Sequence, residues 1–157
     1  MSGARIAPGS GLANVASGVP LLDHLLTEFA TAGRFDLSLE IEPGELAAEV
    51  DAAGAAVGRA VAPLLGHGSH GTGVMLSAEA LAMVAVEASD RGLLASNADL
   101  TGAGGLGTDI AARFLSALAD AATLTLHVRL IEGEDTDHVL EAIFKALGVA
   151  LADAVNR

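Results

Sequence analysis

At 157 residues with a formal net charge of −12, the chain has the length of one domain and an acidity that opposes attraction to nucleic acid or an anionic membrane. The absence of Cys excludes a disulfide framework, a thiolate zinc site and a cysteine nucleophile. Hydrophobic residues make up 52% of the chain but aromatic ones only 3%, so the core is built from Ala, Val and Leu, which favours helices packed closely on sheets.

Residues 1–11, MSGARIAPGSG, are dominated by turn residues and read as a frayed end. They lack the charged-then-apolar pattern of a signal peptide, and no apolar run in the chain reaches the length of a membrane span. A cytoplasmic protein with neither nucleic acid nor membrane as partner is expected. A strand is predicted near Leu12–Ala16, closed by Ser17-Gly18-Val19-Pro20, where Pro20 suits the first turn of a helix. Leu21, Leu22, Leu25, Leu26 and Phe29 form the buried stripe of that helix through about Ala30, and His24 lies beside the stripe. A lone His in such a place is most often structural or surface.

Phe35–Glu42, FDLSLEIE, alternates apolar with polar residues and predicts a strand, followed by a turn at Pro43-Gly44 and a helix over about Ala47–Leu65. Gly66–Gly73, GHGSHGTG, reads as a flexible loop. Its His67 and His70 have a metal-ligand spacing, although a solvated surface is the commoner reason for it, and a phosphate cradle would lack the lysine of a P-loop. Leu76–Asp99 reads as a pair of strands, Gly102–Gly107 as a connector, and Thr108 as the cap of a helix to about Ala122 that buries Ile110, Phe114, Leu115 and Leu118.

The chemistry concentrates in Leu124–Gly148, LTLHVRLIEGEDTDHVLEAIFKALG. Leu124, Leu126, Val128 and Leu130 mark a half-buried strand with His127 on the opposite face. After a turn at Glu132–Asp135 a helix begins, and His138, Glu141 and Lys145 fall along one helical stripe with Asp137 beside them. His-x-x-Glu on a helix can hold a transition metal, and it can equally be a solvated face. Phe35–Glu45 aligns without gaps on Leu124–Glu134, an offset of 89 residues (124 − 35), ending in PGE against EGE. Each half is thus a helix, a strand, a turn and another helix, which suggests an internal pseudo-twofold, about 12–65 against 76–156, within one domain spanning 1–157.

Two stretches resemble a known family. Leu126, His127, Gly133, His138, Glu141, Ala142, Phe144, Lys145 and Ala146 match L-H-x-x-x-x-x-G-x-N-x-H-H-x-x-E-A-x-F-K-A, and Ser17–Leu26, SGVPLLDHLL, matches T-G-I/V-P-F-L-D-H-M-L. These are motifs of imidazoleglycerol-phosphate dehydratase, the manganese enzyme of histidine biosynthesis. The resemblance covers roughly Ser10–Ala152. It implies an α+β fold of the ribosomal-protein-S5-domain-2-like kind, two similar units whose sheets pack on buried helices. It also implies assembly with copies of itself, as a trimer or a larger shell, with metal held between neighbouring subunits.

Carried over residue by residue, the resemblance makes His24, His127, His138 and Glu141 metal ligands. Asp137 stands where the family has the first His of its pair, and Asp51 where it has a Glu ligand, while Ala47 and Ala48 stand where the first half should present two imidazoles. Asp135 replaces an Asn. Glu79 matches the Glu of P-M-D-E-A-L, a candidate to move protons; Arg91, in Ser89-Asp90-Arg91, and Lys145 are candidates to hold substrate phosphate. The Gly66–Gly73 loop has no Arg at the family's phosphate contact, and the family's R-x-T-x-E-T and P-S-T-K-G segments have no counterpart in these residues. Two functions follow. One is a divergent relative with a weakened manganese site and a lost or impaired reaction, serving as an oligomeric binding or structural protein, with a small phosphorylated imidazole-type molecule as possible ligand. The other is an active metal-dependent hydro-lyase working through a rebuilt site.

Overall fold

The computed structural model describes residues 2–98 and 110–156. Its elements in chain order are β1 (Gly3–Pro8), β2 (Ala13–Ala16), α1 (Pro20–Gly33), β3 (Phe35–Glu40), α2 (Leu46–Val61), β4 (His70–Ser77), β5 (Ala80–Ala88), β6 (Leu93–Ser96), α3 (Ile110–Ala122), β7 (Leu124–Glu132) and α4 (Thr136–Val155). The period-two pattern of β3 buries Phe35, Leu37 and Leu39 and exposes Asp36, Ser38 and Glu40. In α1 the three-and-four spacing buries Leu22, Leu25, Leu26 and Phe29, and the helix runs on past Ala30 to Gly33 before Arg34 turns left-handed at φ 55°. Pro63 ends α2 earlier than the apolar pattern suggests: the chain tightens into a 3-10 turn over Ala62–Leu64.

The two halves repeat the same topology. In the first sheet, ordered β1-β3-β2, β3 is antiparallel to β1 and parallel to β2; in the second, ordered β4-β5-β7-β6, β7 is antiparallel to β5 and parallel to β6. The left-handed residues that end α1 and α3, Arg34 and Thr123, differ by 89 (123 − 34). The residues that cap α2 and α4, Glu45 and Asp135, differ by 90 (135 − 45). The extra residue matches the irregularity in β7, where Leu81 pairs with Glu132 and Ala82 with Leu130, so that Ile131 is inserted. Helices of the two halves then pack crosswise, α1 on α4 and α2 on α3, with α4 against β4 and β5 and α2 against β1. The inward sheet faces, including Ile6, Leu37, Val84, Val86, Leu126 and Val128, join one core with the helices.

Two segments differ from the sequence reading. Residues 3–8 form a strand and not a frayed end, because β3 supplies a full antiparallel ladder and Ile6 reaches the core. The GHGSHGTG stretch is a loop only over its first part; from His70 it is β4, so Leu76–Asp99 holds the end of one strand and two more. Its glycines serve packing. A Cβ on Gly71 or Gly73 would strike the backbone of α4 at Ala150 or Ala146, so these positions let strand and helix touch. The Gly102–Gly107 connector and the Thr108 cap lie outside the described residues. Among the described residues no helix is long and apolar enough to cross a membrane.

Gly73→Ala should therefore destabilise the protein by about 1–3 kcal/mol through overpacking against α4, measured by urea denaturation; unchanged stability would show that β4 does not approach the helix this closely.

Candidate functional site

The site is built on the first turns of α4. Asp135 caps the helix, its Oδ1 accepting from the His138 backbone N–H at 3.2 Å. That cap fixes the direction in which His138, Glu141 and Lys145 leave the helix. Ser77, buried at the end of β4, donates its hydroxyl to Oε1 of Glu141 at 2.7 Å, and Oε2 meets Nε2 of His24 at 2.7 Å. These contacts, the Ser77 hydroxyl first, pull the Glu141 carboxyl below its ordinary range and keep it ionised. One helical turn beyond His24, a Glu28 carboxylate oxygen lies 3.9 Å from the same Nε2. Ligand atoms of His24, Glu28 and Glu141 all stand within 4.8 Å of one another.

His138 belongs to a second, adjoining network. Its Nδ1 is 2.6 Å from Oε1 of Glu79, in the β4–β5 turn, and the other Glu79 oxygen accepts from the backbone N–H groups of Asp135 at 3.1 Å and Glu134 at 3.3 Å. The Asp135 N–H above all, with the His138 contact, brings the Glu79 carboxyl down to about 2. Because an ionised Glu79 carboxylate can only accept, a neutral His138 imidazole facing it carries its proton on Nδ1 and its lone pair on Nε2, the arrangement by which a carboxylate orients a metal-ligating histidine. Lys145 Nζ donates to the Leu76 carbonyl at 3.4 Å, at the same end of β4. Arg91 is exposed in the turn between β5 and β6.

The first half carries the matching pair in different chemistry. With the cap-to-cap offset of 90, Ala47, Ala48 and Asp51 of α2 correspond to Asp137, His138 and Glu141 of α4 (for example 141 − 51). With the offset of 89, Arg113 of α3 corresponds to His24 of α1 (113 − 24). Arg113 Nε and Nη2 donate to the two oxygens of Asp51 at 3.1 and 2.8 Å, a bidentate pair where the second half has His24 with Glu141.

Of the residues singled out from sequence, the fold brings together His24 and Glu141, with His138, Glu79 and Lys145 beside them. Asp51 is engaged by Arg113, Asp137 is exposed in the first turn of α4, and His127 projects from the sheet face turned away from the helices. His67 and His70 are exposed. Glu28, Ser77 and Arg113 were not singled out: Glu28 sits at helical spacing from His24 and Arg113 at the repeat offset, so both left a sequence trace, whereas Ser77 is known only from the fold.

The Glu79 hydrogen bond, chiefly, pushes the His138 imidazole above its ordinary 6.5. A raised histidine contributes stability that is complete below about 6.5 and lost as pH rises through the folded value; the lowered Glu79 contributes above about 4.5 and is lost as pH falls toward about 2. The ion pair is therefore strongest between about 4.5 and 6.5. Nuclear magnetic resonance titration of the metal-free protein should place the His138 midpoint above 6.5 and return it toward that value in Glu79→Gln; a midpoint indifferent to the substitution would contradict the contact.

Known proteins share this arrangement of elements. The sequence profile described as imidazoleglycerol-phosphate dehydratase matches residues 17–151. The chain is 37% identical to the imidazoleglycerol-phosphate dehydratase of Acetivibrio thermocellus, covering 95% of this chain and 81% of the relative. To that of Bacillus cereus it is 36% identical, over 92% of this chain and 79% of the relative. The crystal structure of the Staphylococcus aureus dehydratase superposes with a TM-score of 0.83 at 31% identity, covering 96% of this chain and 90% of that one. The Pyrococcus furiosus structure, at 24% identity and a TM-score of 0.79, shares the fold. The chain belongs to the imidazoleglycerol-phosphate dehydratase family.

Proposed function

We propose that this family member has lost the dehydratase reaction, or retains it only weakly, and serves as an oligomeric binding or structural protein. The Arg113–Asp51 pair carries this reading. The resemblance asks both halves for metal ligands, and here the first half offers two methyl groups at Ala47 and Ala48 and a carboxylate already neutralised by a guanidinium. An ion at Asp51 would have to displace a bidentate, charge-assisted pair without an imidazole beside it.

The second half keeps a donor set that suits one manganese ion: carboxylate from Glu141, imidazole from His24, and His138, whose Nδ1 is held by Glu79. A bound divalent ion supplies Lewis-acid polarisation of a ligand. The chain's own residues do the rest of the holding: Ser77 fixes Glu141, Glu79 fixes His138, and Lys145, which donates to the Leu76 carbonyl at 3.4 Å, brings an ammonium to the same end of β4. We assign Lys145 and Arg91 to the phosphate of a small imidazole-type ligand.

Self-association fits the exposed apolar residues on the outer face of the second sheet. Val74 and Leu76 of β4 and Leu93 of β6 are each more than half exposed, on the face that also carries His127. We assign His127, with the outward Asp137, to contact with a neighbouring copy. Light scattering should return a mass several times the 15.6 kDa of one chain; a monomer at micromolar concentration would contradict this.

The functional reading is tested by product formation from imidazoleglycerol phosphate with excess manganese. Losing one half of the ligand set removes charge stabilisation and positioning together, so turnover should fall about a thousandfold or more below a family-like rate. Robust turnover that disappears in Glu141→Ala would overturn the reading.

A further inference from the structure

We propose that the outer edge of β1 is a docking site for an extended segment of a partner polypeptide with the pattern Gly-acidic-Gly, which adds to the first sheet as a fourth strand. The site lies in the first half of the repeat, and it depends on neither manganese nor the loss of the dehydratase reaction.

The second half displays the occupied form of this site. Ala4 and Ile6 of β1, opposite Leu39 and Leu37, correspond to Val84 and Val86 of β5, opposite Val128 and Leu126, an offset of 80 (84 − 4). In the second sheet β4 covers the far side of β5, with Gly73 beside Val84 and Gly71 beside Val86. Among the described residues β1 has β3 on one side and no strand on the other. The helix beneath is repeated as well: α2 packs against β1 as α4 packs against β5. A Cβ on Gly73 would strike α4 at Ala146 and Ala150, whose equivalents by the offset of 90 are Ala56 and Ala60 of α2. Ala150 is fully buried, whereas Ala60 is partly exposed.

The backbone of β1 is set to continue the ladder. Gly9 donates to the Arg34 carbonyl as Ser89 does to that of Thr123, so alternate residues face β3, and Ala4, Ile6 and Pro8 direct their main-chain groups to the free edge. The residue equivalent to Pro8 is Ala88 (8 + 80), and its N–H donates at 2.8 Å to Ser69, which leads into β4. Proline at this parity removes no bond to β3.

The seat selects its occupant. By the equivalence with α4, α2 leaves room for glycine alone at the helix-facing positions. The β1 of a second copy does not fit: strands pair about 4.8 Å apart, which would bring its α2 nearly onto the first, where packed helices need about 8–10 Å. Turned over, that strand would point Arg5 at α2. An extended segment with no helix beneath it meets neither obstacle. Its residue between the two glycines falls beside the exposed Arg5, as Thr72 falls beside Ala85 (85 − 5), so a carboxylate there completes a cross-strand pair. Main-chain bonds supply the affinity and the alternate side chains the specificity.

The test is fluorescence anisotropy of a labelled peptide, HGEGVMLS, the sequence of β4 with glutamate for its threonine, titrated with the full chain. Wild type should bind it saturably, one peptide per chain, and should bind HVEVVMLS, with valine at both helix-facing positions, about tenfold or more weakly. Ala4→Pro removes an edge N–H and no bond to β3, and should weaken HGEGVMLS binding by about tenfold. Ala60→Leu, which fills the seat and leaves β1 untouched, should do the same, and Arg5→Glu should reverse the preference for HGEGVMLS over HGKGVMLS. Circular dichroism establishes that each variant keeps its fold. No saturable binding by wild type, equal binding of the valine peptide, unchanged binding in Ala4→Pro or Ala60→Leu, or no reversal in Arg5→Glu would overturn the proposal.

Discussion

The close crossing of helices from opposite halves sets His24 beside Glu141 and Arg113 beside Asp51. Gly33 of α1 and Gly148 of α4 meet with no room for a Cβ, as Gly54 and Gly58 of α2 do against the backbone of α3. Gly58 and Gly148 are equivalent by the cap-to-cap offset of 90 (148 − 58), so one packing solution is used twice. Small residues at a crossing let the axes approach and bring side chains further along within hydrogen-bond reach. His24 consequently touches Glu141, and Arg113 touches Asp51, although each pair is far apart in sequence.

On that shared frame the two halves answer the same electrostatic problem differently. A carboxylate on the inner face of α2 or α4 needs a positive partner where it is only partly solvated. The first half supplies a guanidinium, which is permanently charged and matches a carboxylate with two parallel hydrogen bonds. The second half supplies an imidazole, with Nε2 of His24 2.7 Å from Glu141. Glu79 adds a carboxylate that orients His138. The same frame thus carries a guanidinium–carboxylate pair in one half and an imidazole–carboxylate pair in the other.

Much of this was legible in the sequence because it is local. The alternation of FDLSLE, the apolar stripe of α1 and the offset of 89 each depend on spacing alone, and they gave the elements and the repeat. The family motifs led to His24, His138 and Glu141, which the fold groups. What was not legible depends on partners distant in sequence. Residues 3–8 look like turn chemistry until β3 pairs with them, and the glycines of GHGSHGTG look like a flexible loop until α4 lies against Gly71 and Gly73. Glu28 is an ordinary acidic residue on a helix unless Glu141 faces it, and Asp51 reads as a vacant ligand until Arg113 grips it.

The central claim, that one half of the repeat carries its own cation while the other takes one from solution, is tested most directly by crystals soaked in manganese and measured for anomalous scattering. The account predicts one anomalous peak per chain, among His24, His138 and Glu141, with Arg113 still bound to both oxygens of Asp51. A peak at Asp51 with Arg113 displaced, or no peak in either half at saturating manganese, would contradict it.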